Sequence, residues 1–174
     1  MLNSQLAQIT NEDFDFLSKN GKRTSVFMRY DFESLIYSEW GLLKFDLPDL
    51  FASGNFEQLL FLLLKDRNVN VFLNDIQKQP INKAIEFILW IKDELETIKD
   101  LEKTYLSSDP SAKMFQAGIN KLDQFGIMNT IDNLSGGDIL KYEFIKKQKY
   151  NVIFDKQYRE VITNEIQAKL AKIK

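Results

Sequence analysis

The sequence contains no cysteine and no histidine among its 174 residues. Without cysteine there is no disulfide frame, no thiolate nucleophile, no iron–sulfur cluster and no Cys-ligated zinc. Without histidine there is no Ser–His–Asp triad and no imidazole base that titrates near neutrality. Any catalysis would fall to carboxylates, Lys, Tyr, Ser or Thr. Proline and glycine are also scarce, at three and seven residues, so few positions break regular structure. Long hydrophobic runs are missing too. Leu59 to Leu64 is the strongest, and it falls far short of the roughly 20 residues that cross a bilayer. The first residues, Met1 to Gln5, have neither the basic start nor the apolar stretch of a signal peptide. The expectation is a cytoplasmic chain with no membrane contact, and the Asn133-Leu134-Ser135 glycosylation triplet then means nothing.

Apolar residues make up 44% of the chain, with fourteen Phe, six Tyr and two Trp. That is enough to close a packed core at this length. The net charge of −2 conceals an asymmetry. Residues 139–174 hold nine basic and four acidic residues, a net of +5, whereas residues 1–138 hold 14 and 21, a net of −7. Such a basic end on an acidic body can guide assembly or bind an acidic partner, although a Lys-rich solvated face is the favoured reading. Lys141, Lys146, Lys147, Lys149, Lys156 and Arg159 form the candidate partner-contact surface.

Periodicity predicts a mainly α fold, an irregular helical bundle built on one long central helix, with minor β in the N-terminal third. We read residues 1–174 as a single domain, divided into a less regular part over 1–54, a helical core over 55–138 and basic helices over 139–174. In the first part, Asn11-Glu12-Asp13 starts a short helix through Leu17, closed by a turn at Asn20-Gly21. Val26 to Tyr30 reads as a strand and Phe32 to Trp40 as a helix that Gly41 stops. Leu47-Pro48-Asp49 is a turn or a helix start.

The pattern then sharpens. Asn55 caps a helix carrying Leu59, Leu60, Leu62, Leu63 and Leu64, apolar almost all round and therefore central. Asn68 to Leu73 fits a strand or a short helix. Pro80 opens the clearest element, in which Ala84, Ile88, Ile91, Leu95, Ile98 and Tyr105 make one seam to about Ser107. Lys92, Asp93, Glu94, Glu96, Lys99, Asp100, Glu102 and Lys103 lie opposite and read as a solvated face.

Asp109-Pro110 restarts the chain, and Phe115, Gly118, Ile119, Leu122 and Phe125 give the next inward face, ended by a left-handed cap at Gly126. Ile127 to Leu134 is a short helix stopped by Ser135-Gly136-Gly137, and Asp138 caps another to about Lys147. Tyr150, Phe154, Tyr158, Val161, Ile162, Ile166, Leu170 and Ile173 then describe an amphipathic C-terminal helix.

Four constellations tempt a chemical reading. Asn11, Asp13 and Asp15 alternate like a calcium loop, but Phe16 replaces its glycine and Lys22 its closing glutamate. Ser135 to Asp138 has the glycines of a phosphate loop without its Lys, and Asp138 would repel the anion. The acids at Asp93, Glu94, Glu96 and Asp100 interleave with lysines and lack the histidines of a carboxylate-bridged metal site. Lys141, Lys146, Lys147 and Lys149 beside Tyr142, Phe144 and Tyr150 could track a single strand of nucleic acid, yet Phe144 and Tyr150 also fit an inward face. No cofactor or metal is expected, and the balance is against nucleic acid.

Between Tyr105 and Ile162, about a third of the chain, the order of signals is distinctive. Leu106-Ser107-Ser108-Asp109-Pro110 ends a long helix. Gly118-Ile119-Asn120-Lys121-Leu122, Phe125-Gly126 and Ile131 to Asp138 follow. A charged helix then leads into Tyr150-Asn151-Val152-Ile153-Phe154. This segment resembles the small helical proteins encoded among the virion and tail-assembly genes of tailed bacteriophages. It departs from them at Lys149, where a proline is usual, and the first 100 residues match no such pattern. The resemblance implies protein–protein assembly without catalysis, with other phage structural proteins and the chain itself as partners. The alternatives are a cytoplasmic helical adaptor or regulator that binds a partner protein, and then an enzyme using only carboxylates, Lys or Tyr.

Overall fold

A computed structural model describes residues 16–17, 19–107 and 112–173. The expected helix start at Asn11, the calcium-like Asn11, Asp13 and Asp15, and the Asp109-Pro110 restart lie outside these residues. The fold is mainly α, with one two-stranded antiparallel sheet among the described residues.

Helical backbone at residues 16–17 and 19–20 precedes a hairpin. β1 (Val26–Phe27) pairs with β2 (Tyr30–Asp31), with Phe27 opposite Tyr30. The single strand expected over Val26 to Tyr30 is thus two, because Met28 and Arg29 both take positive φ, of 50° and 72°, and reverse the chain. That left-handed pair is the geometry of a two-residue hairpin turn. Phe32 to Trp40 is not a helix either. Only Leu35–Tyr37 coils, as a 3-10 turn, and Glu39 forms a bridge with Lys149.

Gly41 does not stop a helix; it lies in one. Helical backbone begins at Trp40, widens into a π-helical segment at Leu42–Asp46, and continues as α1 (Leu47–Ser53). Pro48 explains the widening. Its missing N–H and its ring are incompatible with a regular α turn, and one π turn just before it absorbs the mismatch. Gly41 is required for a different reason. A Cβ there would stand 2.7 Å from Lys146 Cβ, so glycine lets two backbones approach.

α2 (Phe56–Asp66) starts as expected, the Asn55 side chain accepting from the Gln58 N–H. Leu59, Leu60, Leu63 and Leu64 are wholly buried, which makes α2 the centre of the core. Asn68 turns the chain with a φ of 58°, and residues 69–72 lead without helix or strand into α3 (Leu73–Gln77). α4 (Ile81–Tyr105) is the long helix, with Ala84, Phe87, Ile88, Ile91 and Ile98 facing inward. Phe87 stacks on Phe27 and on Trp90, at 5.1 and 5.3 Å between ring centroids, and so locks the hairpin onto it.

α5 (Ala112–Gln116) and a 3-10 segment at Ile119–Phe125 lead to α6 (Ile127–Ser135). The inward face expected here is absent. Phe115, Leu122 and Phe125 are exposed, and from Ile119 onward three residues per turn break the α spacing on which that face depends. Gly126 has positive φ, but its ψ of −128° is not the left-handed cap; it begins α6. Gly136 does provide that cap, at φ 68° and ψ 32°. Asp138 then caps a 3-10 turn at Ile139–Lys141 that runs into α7 (Tyr142–Lys146). α8 (Tyr150–Lys172) completes the chain. One core cluster extends from Phe27 to Ile153, with no member from α5 or the 3-10 segment after it.

Candidate interaction surface

α8 enters the body through a backbone clamp. The Trp40 N–H donates to Gln148 O at 2.7 Å and the Tyr150 N–H to Ser38 O at 2.9 Å, around the Glu39–Lys149 bridge. The end of α2 secures the clamp from beneath. Asp66, 4% exposed in its side chain, accepts from the Glu39 N–H at 3.1 Å and from Lys149 Nζ at 3.4 Å. Arg67 donates to Ser34 O at 2.9 Å and to Ser38 Oγ at 3.3 Å.

Tyr150 and Ile153 are buried behind this clamp. Lys44 sits over the Tyr150 ring and forms an ion pair with Glu102. The Tyr150 hydroxyl makes no hydrogen bond. Burial first, then the Glu102 carboxylate, pushes its pKa above the tyrosine range. Farther along α8, Phe154 and Tyr158 meet Tyr105 edge-on, at 6.3 and 5.5 Å. Tyr105 is the last residue of α4, so α8 outruns its support there. Every residue from Ile162 to Ile173 is exposed.

The expected amphipathic helix is therefore two half-helices with opposed apolar faces. Tyr150, Ile153, Phe154, Gln157 and Val161 turn toward the body. Ile162, Ile166, Leu170 and Ile173 lie roughly half a turn away, at about 100° per residue. Their exposures are 38%, 53%, 58% and 80%. A second apolar group stands at the start of the basic region, where Ile139, Leu140 and Phe144 are exposed. Phe144 was one of two residues expected to face inward; only Tyr150 does.

The six basic candidates do not gather into one free patch. Lys141 pairs with Asp138, Lys146 with Glu143, Lys149 with Asp66 and Lys156 with Glu160. The Asp138 carboxyl is held below its ordinary pKa by its hydrogen bond with Lys141 and then by the Leu140 amide. Lys146 similarly lowers Glu143 and lies 5.0 Å from the Phe45 ring centre. Arg159 Nε donates to Asp155 O, one turn back. Lys147 is exposed and forms no ion pair among the described residues. Most of the apparent positive charge is thus answered locally.

The acidic face of α4 is only partly solvated, contrary to its alternating charges. Glu94 accepts from Ser34 Oγ at 2.6 Å and from the Leu35 N–H at 2.8 Å. Asp93 pairs with Arg23 and Glu102 with Lys44, while Glu96 and Asp100 stay exposed. These carboxylates hold the N-terminal segments onto α4. Among the described residues no three acidic side chains are grouped to hold a metal ion, and no helix is long and apolar enough to cross a membrane. A trench of about 340 Å³ runs between α1 and α4, over Leu43, Pro48, Phe51, Leu95 and Ile98.

No family model, curated protein or solved structure matches this chain.

Proposed function

We propose that this chain is a non-enzymatic assembly protein of a tailed bacteriophage, either a head–tail connector or tail component, or a tail-assembly chaperone. It acts by contact with other phage structural proteins and with itself, in the host cytoplasm during assembly. One observation carries the assembly reading: the outer half of α8 is exposed among the described residues yet bears a continuous apolar stripe. Helices of this length draw most of their stability from packing an apolar face, and exposed apolar groups mark contact sites. The phage setting rests on the sequence resemblance between Tyr105 and Ile162. Mass spectrometry of purified particles tests it. Stoichiometric presence identifies a virion component, presence only in lysate complexes identifies a chaperone, and absence from both refutes the proposal.

The trench between α1 and α4 favours a second reading, a cytoplasmic adaptor that seats a partner's helix. A chain that stays monomeric in light scattering and forms a one-to-one complex with a host protein would support that reading.

A further inference from the structure

We infer that residues 162–173 pair antiparallel with the same residues of a second copy of this chain. The inference rests on the assembly reading and names one of its contacts.

Three features of the arm converge. Ile162, Ile166, Leu170 and Ile173 fall within roughly a quarter turn of each other at about 100° per residue, and this stripe points away from the body. Val152, Asp155 and Arg159 continue the same line inward at three- and four-residue spacings, the seam of a two-helix contact. Among the described residues none covers the stripe: α4 ends at Tyr105 beside Tyr158, and the α6 residues Asn133 and Leu134 lie against Val161 and Asn164 on the other side of α8.

Charge selects both the occupant and its direction. Glu165 and Lys172 are seven residues apart and flank the stripe on the same side. Neither makes an ion pair among the described residues. A twofold axis that lays Ile162 near Ile173 and Ile166 near Leu170 brings Glu165 of each copy within reach of Lys172 of the other. Both pairs form at once. A parallel alignment would set Glu165 against the opposite flank, where Glu160, Thr163 and Gln167 stand, and would give it no basic partner among the described residues. The sequence of the arm is thus complementary to itself reversed.

Four apolar side chains per copy make a contact well below the roughly 800 Å² per partner of a standard interface. Association through the arm alone is accordingly weak and concentration-dependent, with a dissociation constant in the micromolar range or looser.

Sedimentation equilibrium of the full chain over a wide concentration range tests this. The expected result is a reversible monomer–dimer equilibrium. Ile166→Ser and Leu170→Ser should each weaken it about tenfold or more, because the axis counts every substitution twice. Glu165→Lys alone and Lys172→Glu alone should each weaken it. An equimolar mixture of those two variants should restore it, since both cross-pairs are again attractive. A chain that is monomeric throughout, a dimer indifferent to Ile166→Ser, or variants that fail to rescue one another would overturn the inference. All four positions are exposed, so loss of folding in a variant would contradict the free-standing arm as well. A monomeric chain found in particles would sink this pairing and leave the proposed function standing. A dimer with these properties, absent from particles and assembly complexes, would do the reverse.

Discussion

Replacing Asp66 by alanine should loosen the attachment of α8 more than any substitution on α8's outer surface. Asp66 is almost wholly enclosed and answers two donors, the Glu39 N–H at 3.1 Å and Lys149 Nζ at 3.4 Å. A hydrogen bond to an ionised acceptor contributes about 1.5–3 kcal/mol, and losing it leaves the Glu39 amide unpaired. Lys149 is half-exposed, so its pairing adds about 0–1 kcal/mol. Arg67 Nε, 3.7 Å from the other carboxylate oxygen and without a hydrogen bond of its own, also loses its counter-charge. The expected total for Asp66→Ala is about 2–4 kcal/mol, a large share of a typical domain's stability. Asp66→Asn keeps an oxygen for the Glu39 amide and should lose about half as much. Urea unfolding followed by circular dichroism reads both, through a lowered midpoint at unchanged slope. Hydrogen exchange at the Trp40 and Tyr150 amides, which close the clamp, should accelerate in step. An alanine variant within about 0.5 kcal/mol of the parent would refute the role given to Asp66.

Two glycines should respond for different reasons. Gly41→Ala puts a Cβ 2.7 Å from Lys146 Cβ and 3.0 Å from Lys146 O, a clash expected to cost about 1–3 kcal/mol in urea unfolding. Gly136→Ala meets nothing within 4 Å and should cost about 1 kcal/mol through its φ of 68° alone. Leu63→Ala, at a wholly buried position of α2, should cost about 2–5 kcal/mol by the same measurement. Burial raises the Tyr150 pKa above its ordinary 10.0, so the unfolded chain releases that proton first as pH rises. The parent's stability should therefore fall above about pH 10, and a pH series of melting curves should show a shallower fall in Tyr150→Phe. Near neutrality the same variant should match the parent or exceed it by up to about 1 kcal/mol, because the removed hydroxyl is buried without a partner.

Local chemistry was legible wherever one residue type dictates one geometry. The Asn55 and Asp138 caps, the Gly136 stop and the seam of α4 all rest on interactions within a few residues. The N-terminal third was harder to read because its geometry is set from a distance. Met28 and Arg29 carry positive φ without being Gly, Asn or Asp, so no residue there announces the hairpin. Gly41 resembles a stop, and only the approach of Lys146, about a hundred positions later, explains it. Glu94 looks solvated among its charged neighbours until Ser34 and Leu35 reach it from sixty residues away.

The candidate surface shows the same division. Its lysines are mostly paired and its apolar residues are not. Lys141, Lys146, Lys149 and Lys156 are answered by Asp138, Glu143, Asp66 and Glu160, while Ile139 and Leu140 before them and Ile162, Ile166, Leu170 and Ile173 beyond them are exposed. The last four were visible as an apolar pattern on α8. Assigning them to a core assumed a neighbour, and α4 ends at Tyr105 before it can serve as one. A helical phase count would have exposed the reversal of the apolar face at Val161 and Ile162.

The account holds that the body folds on its own contacts and that residues beyond Val161 act on other molecules. Sedimentation velocity of a chain truncated after Val161 tests this most directly, since one measurement reads both compactness and association. The account predicts a compact monomer at every concentration, under conditions where the full chain associates. An expanded, unfolded species, or association equal to that of the full chain, would contradict it.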